Sequence, residues 1–399
     1  MDFPGFHRIR WAVWCALVLF SARAVAQGDA TNDTAAATTA NTNSIPLKKA
    51  PEAVLQALFR EDTFNGVTEP VLRRIAQVDH TNGFLGFLND WHLRPKIFQG
   101  NGGVAEAASL GFEFDYKKAL ASTTLRQSSR QPIGFSLAIE AKGDVAFDAD
   151  RNPNNLLESS VGLHLFQGIG GIDPLYSATK EAQTNLQRLI MASTTNQAAY
   201  IQAAKEFTAH MRPQFFYDLQ AQVGFETDQQ FHDKQWAYGG KLALVFRDWR
   251  ADSEVGWFNV FDYPFAAFRA LANKEKFQPS GRTFPSVVVG LDLVDPTGND
   301  SRQAIDADDA AYPRLRVEVG FKTPVLRWRE EQLYVSAAFR HFQELGASSA
   351  IQSADMDRSD YFVVKVDLPY KFNISYSTGR LPLDRSDDQV YAVGWTLNF

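Results

Sequence analysis

From about residue 104 the chain alternates apolar and polar residues with a period of two, the spacing of a strand whose two faces meet different surroundings. Leu110, Phe112, Phe114 and Tyr116 interleave with Gly111, Glu113, Asp115 and Lys117. Ile133, Phe135, Leu137 and Ile139 interleave with Gly134, Ser136, Ala138 and Glu140. The pattern recurs at 161–165, 215–226, 236–247, 287–293, 314–322, 333–340, 362–368, 371–377 and 391–399, with a shorter aromatic run at 255–261. That predicts about twelve strands, most near ten residues, the length a tilted strand needs to cross a bilayer. A soluble sandwich also produces alternation, because one face is buried and one is wet. Aromatic strand ends and the two chain termini decide against it.

Helical spacing interrupts the pattern once. Ala182, Leu186, Leu189 and Ile190 form one stripe, and Ile201, Ala204, Phe207 and Met211 a second, with Ser193 to Asn196 between them as a cap. A helical hairpin is therefore expected at 178–211. Two shorter helical patterns precede the strands: Val54, Leu55, Leu58 and Phe59, and then Val71, Leu72 and Ile75 behind Thr68-Glu69-Pro70. Gly83 to Phe98 is apolar and aromatic without a clean period. Residues 46–100 are read as a small pre-barrel segment, periplasmic or lodged in a lumen. Residues 27–45, rich in Ala, Thr and Asn, are read as a flexible linker. The barrel is placed at 101–399.

The N-terminus reads as an export signal. His7, Arg8 and Arg10 precede the short apolar run Trp11–Phe20, and Ala24-Val25-Ala26 is an A-x-A site with cleavage before Gln27. The run falls well short of the roughly 20 residues a spanning helix requires. Cleavage after residue 26 removes Asp2, Arg8, Arg10, Arg23 and the sole cysteine, Cys15. The net charge then changes from −6 to −6 − 2 = −8. An acidic chain without a clustered basic face excludes nucleic acid as a partner. A mean hydropathy of −0.25 is compatible with a membrane barrel, whose alternating faces average out.

The chain ends Tyr391-Ala392-Val393-Gly394-Trp395-Thr396-Leu397-Asn398-Phe399. An aromatic last residue, with Tyr391, Val393, Trp395 and Leu397 at every second position behind it, resembles the C-terminal β-signal of Gram-negative outer-membrane β-barrel proteins. Ala392 departs from the longer form of that pattern, which prefers a polar residue there. The resemblance covers one strand. It implies an antiparallel transmembrane barrel in the cell outer membrane, in contact with lipid and lipopolysaccharide. It also implies delivery by the export translocon and the barrel-assembly machinery. With an even strand number, both chain ends lie in the periplasm. Counting strands then puts 178–211 on the extracellular side and the irregular stretch 263–283 on the periplasmic side.

The polar parity of the strands carries Glu113, Asp115, Lys117, Glu140, His164, Asp218, Glu226, Lys241, Arg247, Asp292, Arg314, Arg316, Glu318, Lys322, Arg340, Lys365 and Asp367, which are expected to face the lumen. So many charges cannot lie in a dry core and imply water, ion pairs or both. His80-Thr81-Asn82, His232-Asp233 and Asp308-Asp309 are the nearest imitations of an enzymatic arrangement, and the loop bearing Asp295, Asp300, Asp306, Asp308 and Asp309 is the nearest imitation of a cation site. Solvated loop charges account for all of them, and no zinc or calcium spacing is present. The expectation is therefore a non-enzymatic channel or transporter for an unidentified small polar or amphipathic solute, without metal or cofactor. A non-conducting structural or binding barrel is the alternative, with an outer-membrane hydrolase as a third reading.

Overall fold

The computed structural model describes residues 91–101, 108–124, 133–148, 152, 155–172, 181, 184–185, 188, 202, 206, 209–250, 253–273, 276–307, 310–328, 331–368, 372–384 and 388–395. Twelve strands form a closed antiparallel barrel in which each strand pairs with its sequence neighbours and β1 pairs with β12. They are β1 (Trp91–Asn101), β2 (Ser109–Thr124), β3 (Ile133–Ala146), β4 (Leu157–Ile172), β5 (Met211–Thr227) and β6 (Lys234–Arg247). The second half comprises β7 (Ser286–Asp295), β8 (Tyr312–Trp328), β9 (Glu331–Glu344), β10 (Arg358–Asp367), β11 (Phe372–Gly379) and β12 (Asp388–Trp395). Three α-helices lie wholly among the described residues: α1 (Tyr263–Asn273), α2 (Asp300–Gln303) and α3 (Ser349–Ser353).

Closure pairs each strand with a neighbour on both sides, as a sheet exposed to lipid requires, except where β8 outruns β7 beyond Gly320. The outward parity is apolar and uncovered, as at Val289, Leu291 and Leu293 on β7, while Val288, Asp292 and Val294 between them are buried. A soluble protein would hide such a belt, so the barrel spans a membrane.

Three expectations change. The barrel begins at Trp91 and not at 101, because Trp91 to Phe98, the latter half of that apolar stretch, belongs to β1. Pro95 masks that strand in the sequence. A proline within a strand removes a donor, yet Pro95 lies just before the Lys96–Asn101 run that pairs with β12, so no bond of that ladder is lost. Second, 255–261 is not a strand: Glu254–Phe258 and Val260–Asp262 are short 3-10 helices. One strand is gained and one lost, so twelve remain.

The third change follows from the first. With β1 counted, the 178–211 insert joins β4 to β5, so that connection leaves the barrel at the end where β1 begins and β12 finishes, not at the opposite end. Its described residues Glu181, Thr184, Asn185, Arg188, Gln202 and Glu206 are helical. The β6–β7 connection, which holds α1, is at that same end. The signal peptide, the linker and the two early helical patterns lie outside the described residues, as do Asp308, Asp309, Leu397 and Phe399.

Candidate functional site in the barrel lumen

Strand alternation delivers the inward charges, and the register decides which of them meet. Across β1, β2 and β3, Glu113 takes Arg94 Nη1 at 2.7 Å and Lys96 Nζ at 2.5 Å, and Lys96 also reaches Asp144 at 3.0 Å. Lys117 pairs with Glu140 at 2.6 Å. Asp115 shares their parity and is exposed. His164 Nδ1 lies 3.1 Å from the buried Asp218 carboxylate, which also accepts from Gln220 at 2.8 Å. Lys322 pairs with Asp367 at 3.0 Å, and Lys365 with the same carboxylate at 3.3 Å. Lys241 is half-buried beside Gly290, where a Cβ would sit 3.0 Å from the lysine stem. Arg247 Nη1 donates to the carbonyls of Phe246 and Phe284 at the end bearing the chain ends.

Toward the opposite end the pairs cease to be neighbours in the sheet. Arg314 on β8 grips Glu226 on β5 with both Nη atoms, at 2.8 and 2.7 Å, and reaches Asp292 on β7 at 3.3 Å. Gln235 adds a third bond to Glu226 at 2.6 Å. Glu158 on β4 collects Lys142 from β3 at 2.8 Å, Arg316 from β8 at 3.2 Å and Arg340 from β9 at 3.4 Å. Arg316 and Arg340 also pair with Glu318. Strands β4 and β8 are not adjacent, so these side chains meet through the interior.

An apolar layer sits beside this belt. Leu156, Phe342, Leu381 and Leu383 form a buried cluster with Tyr361 against it, so the β11–β12 connection folds inward over the mouth. The Arg314 and Arg316 guanidiniums lie 5.2 and 5.1 Å from the Phe342 ring centroid, a cation–π contact that couples the two layers.

The connections at this mouth are knitted together. Gln229 bonds Ala146 through both its side-chain groups, Asn155 accepts from Gln229 N at 2.7 Å, and Asn155 N donates to Asp384 at 2.9 Å. Asp233 takes the amide and hydroxyl of Ser301 at 2.8 and 2.6 Å, and Arg302 of α2 grips Glu344 at 2.6 and 2.8 Å. Arg302 is outside the span. Burial disfavours its charge, yet the Glu344 bond and neighbouring charges raise its pKa further. A cleft of about 560 Å³ remains between these connections, walled by Asp233, Ser301, Met356, Arg380 and Asp384.

Three of the carboxylates considered for catalysis or cation binding hold local hydrogen bonds. Asp233 holds Ser301, Asp295 accepts from Thr297, and Asp306 accepts from Ser348 at 2.5 Å. No cluster of metal-ligating groups occurs among the described residues. Sequence reasoning missed Arg94, Lys96, Lys142, Asp144 and Glu158. The last three continue the parity of Glu140 and His164, so extending each strand by a few residues would have found them. Tyr391, Val393 and Trp395 of the expected assembly signal lie exposed on the outer wall.

No family model matches the chain, and no curated protein does. Solved structures are similar to it over most of their own length. The KdgM porin aligns with 77% of this chain and 99% of that one, at 7% identity and a TM-score of 0.27. The outer membrane channel DcaP of Acinetobacter baumannii aligns with 77% and 96%, at 8% identity and 0.30. The translocator domain of autotransporter NalP from Neisseria meningitidis aligns with 89% and 100%, at 9% identity and 0.23. Scores this low carry no functional argument, and the architecture rests on the strand ladder itself.

Proposed function

We propose that the protein is an outer-membrane channel for small polar solutes, constricted near one mouth by a charged belt and an apolar layer. The end bearing the chain ends is periplasmic, as the export signal and terminal strand imply, and the knitted mouth faces outside. The carrying observation is Glu158, whose carboxylate is met from β3, β8 and β9 at once. A barrel of this size sits between filled small barrels and open porins, so inward side chains set the bore.

Lysine and arginine at the belt give a passing anion or hydroxyl-rich solute replacement partners for the ion pairs it disturbs. The lumen-facing charges named from the sequence supply that path, and lipid, lipopolysaccharide and the assembly machinery are its expected surroundings. Barrel walls and paired charges supply passage, not bond chemistry, so the reading is non-enzymatic.

Planar-bilayer recording tests this. Wild type is expected to show small, rare openings. Glu158→Ala, which leaves Arg316 and Arg340 with Glu318 alone, should raise conductance and shift selectivity toward anions. Leu381→Ser should raise conductance without that shift. If folded wild type and both variants are electrically silent, the pore reading fails and a binding or structural barrel replaces it.

A further inference from the structure

The wall of the barrel has a notch. Ser286, the first residue of β7, pairs with Gly320, while β8 runs on to Trp328, 328 − 320 = 8 residues further. Beyond Gly320 the side of β8 toward β7 has no strand partner. A bulge between Pro324 and Leu326 disturbs its other ladder there as well. In a lipid-facing wall those backbone groups need partners.

The β6–β7 connection fills the notch and supplies a donor to one of them, the Pro324 carbonyl. Asp262, fully buried, accepts the Thr323 hydroxyl at 2.5 Å and Ser280 N at 2.6 Å, and Arg269 of α1 grips it at 2.6 and 3.1 Å. The same Arg269 donates to the Pro324 carbonyl at 2.8 Å. Phe261 and Phe265 lie against Phe321 on the outward face of β8, with centroids 6.2 and 5.7 Å apart. The segment therefore lies on the outside of the barrel and continues its wall.

Its other side is uncovered and apolar. Leu271 and Phe258 are 83% and 79% exposed, and Trp257, Val260, Phe261 and Phe268 are also exposed. Between residues 255 and 272 no exposed residue is charged or carries a polar chain, whereas exposed Glu254 and Lys276 flank the stretch. On α1, Pro264, Phe268 and Leu271 fall on one stripe, opposite the buried Ala266 and turned about 100° from Phe265, which meets β8. A helix apolar on both faces is a buried helix, and here protein covers only one of them. The uncovered patch is continuous with the lipid-facing belt through Phe321.

We propose that residues 253–283 form a membrane-interface anchor, covered by the phospholipid of the leaflet at the end bearing the chain ends. Aromatic side chains at that depth match the girdle a barrel places at its interfaces. The anchor is independent of whether the lumen conducts.

The test uses full-length protein carrying Cys15→Ser and Leu271→Cys, labelled with an environment-sensitive NBD dye and reconstituted into phosphatidylcholine vesicles. Phe258→Cys is a second site, Leu291→Cys a control within the belt, and gel mobility before boiling reports folding of each. Labels at 271 and 258 should emit to the blue of their aqueous value and be quenched by lipids doxylated near the headgroup. The label at 291 should be quenched better by lipids doxylated deep in the chain. Aqueous emission without quenching at 271 and 258 would overturn the proposal. So would oxidative cross-linking of Leu271→Cys between molecules, which would assign the patch to a second copy of the chain.

Discussion

Removing the Glu226 carboxylate isolates the energetics of the lumen from its transport. Glu226 is almost fully buried and accepts three bonds, two from Arg314 and one from Gln235. Deleting one partner of a buried ion pair costs about 3–5 kcal/mol, because the other charge is left without compensation. Here Asp292 remains 3.3 Å from Arg314, so the lower end applies, about 3 kcal/mol. With a urea slope of about 3 kcal/mol per molar, Glu226→Ala should lower the unfolding midpoint by about 1 M. The assay is urea unfolding in detergent micelles, followed by tryptophan fluorescence and by folded-band mobility. The double variant Glu226→Ala/Arg314→Met removes both charges and should recover part of the loss. An unchanged midpoint in Glu226→Ala would refute the reasoning. So would a double variant that loses the sum of both single effects, since independent sites add and a charge pair does not.

Asp262→Ala should expose the notch in the wall and cost about 3 kcal/mol by the same argument, while Thr323→Val should cost about 1.5–3 kcal/mol for one bond to a charged group; both are read as shifts in the urea midpoint. Burial pushes the Asp248 carboxyl up, but hydrogen bonds from Arg250 and Ser253 and the Arg250 charge outweigh it and hold the pKa below the usual carboxylate value. A depressed carboxyl stabilises above its unfolded pKa, about 3.9, and that stability is lost as pH falls through the folded value. Hydrogen exchange in 253–262, corrected for intrinsic rate, should therefore stay flat from neutral pH to about pH 4 and rise below it, and Asp248→Asn should show raised exchange at neutral pH. Deleting Phe399 should lower the amount of barrel reaching the outer membrane by more than the loss of one lipid-facing side chain, about 1.5–3 kcal/mol, explains; unchanged membrane levels would sink that reading.

The period-two pattern was enough for an antiparallel transmembrane barrel, because a strand's two faces meet different solvents and each residue reports its own side. The same parity singled out charged strand residues from Glu113 to Asp367 but could not say which of them pair. It failed where a residue's local signal opposes its tertiary place. Pro95 hid β1, since its missing donor matters only if a neighbour needs it. The aromatics of 255–261 mimicked a strand because a segment wedged between barrel wall and membrane is apolar for the same reason a strand is. That one exchange moved the 178–211 insert to the other end of the barrel. Which charges neutralise each other was decided by the register of neighbouring strands and, at the belt, by closure. Glu158, Arg316 and Arg340 lie far apart in sequence and on strands that do not all pair, and only the curvature of the closed sheet brings them to one point across the lumen.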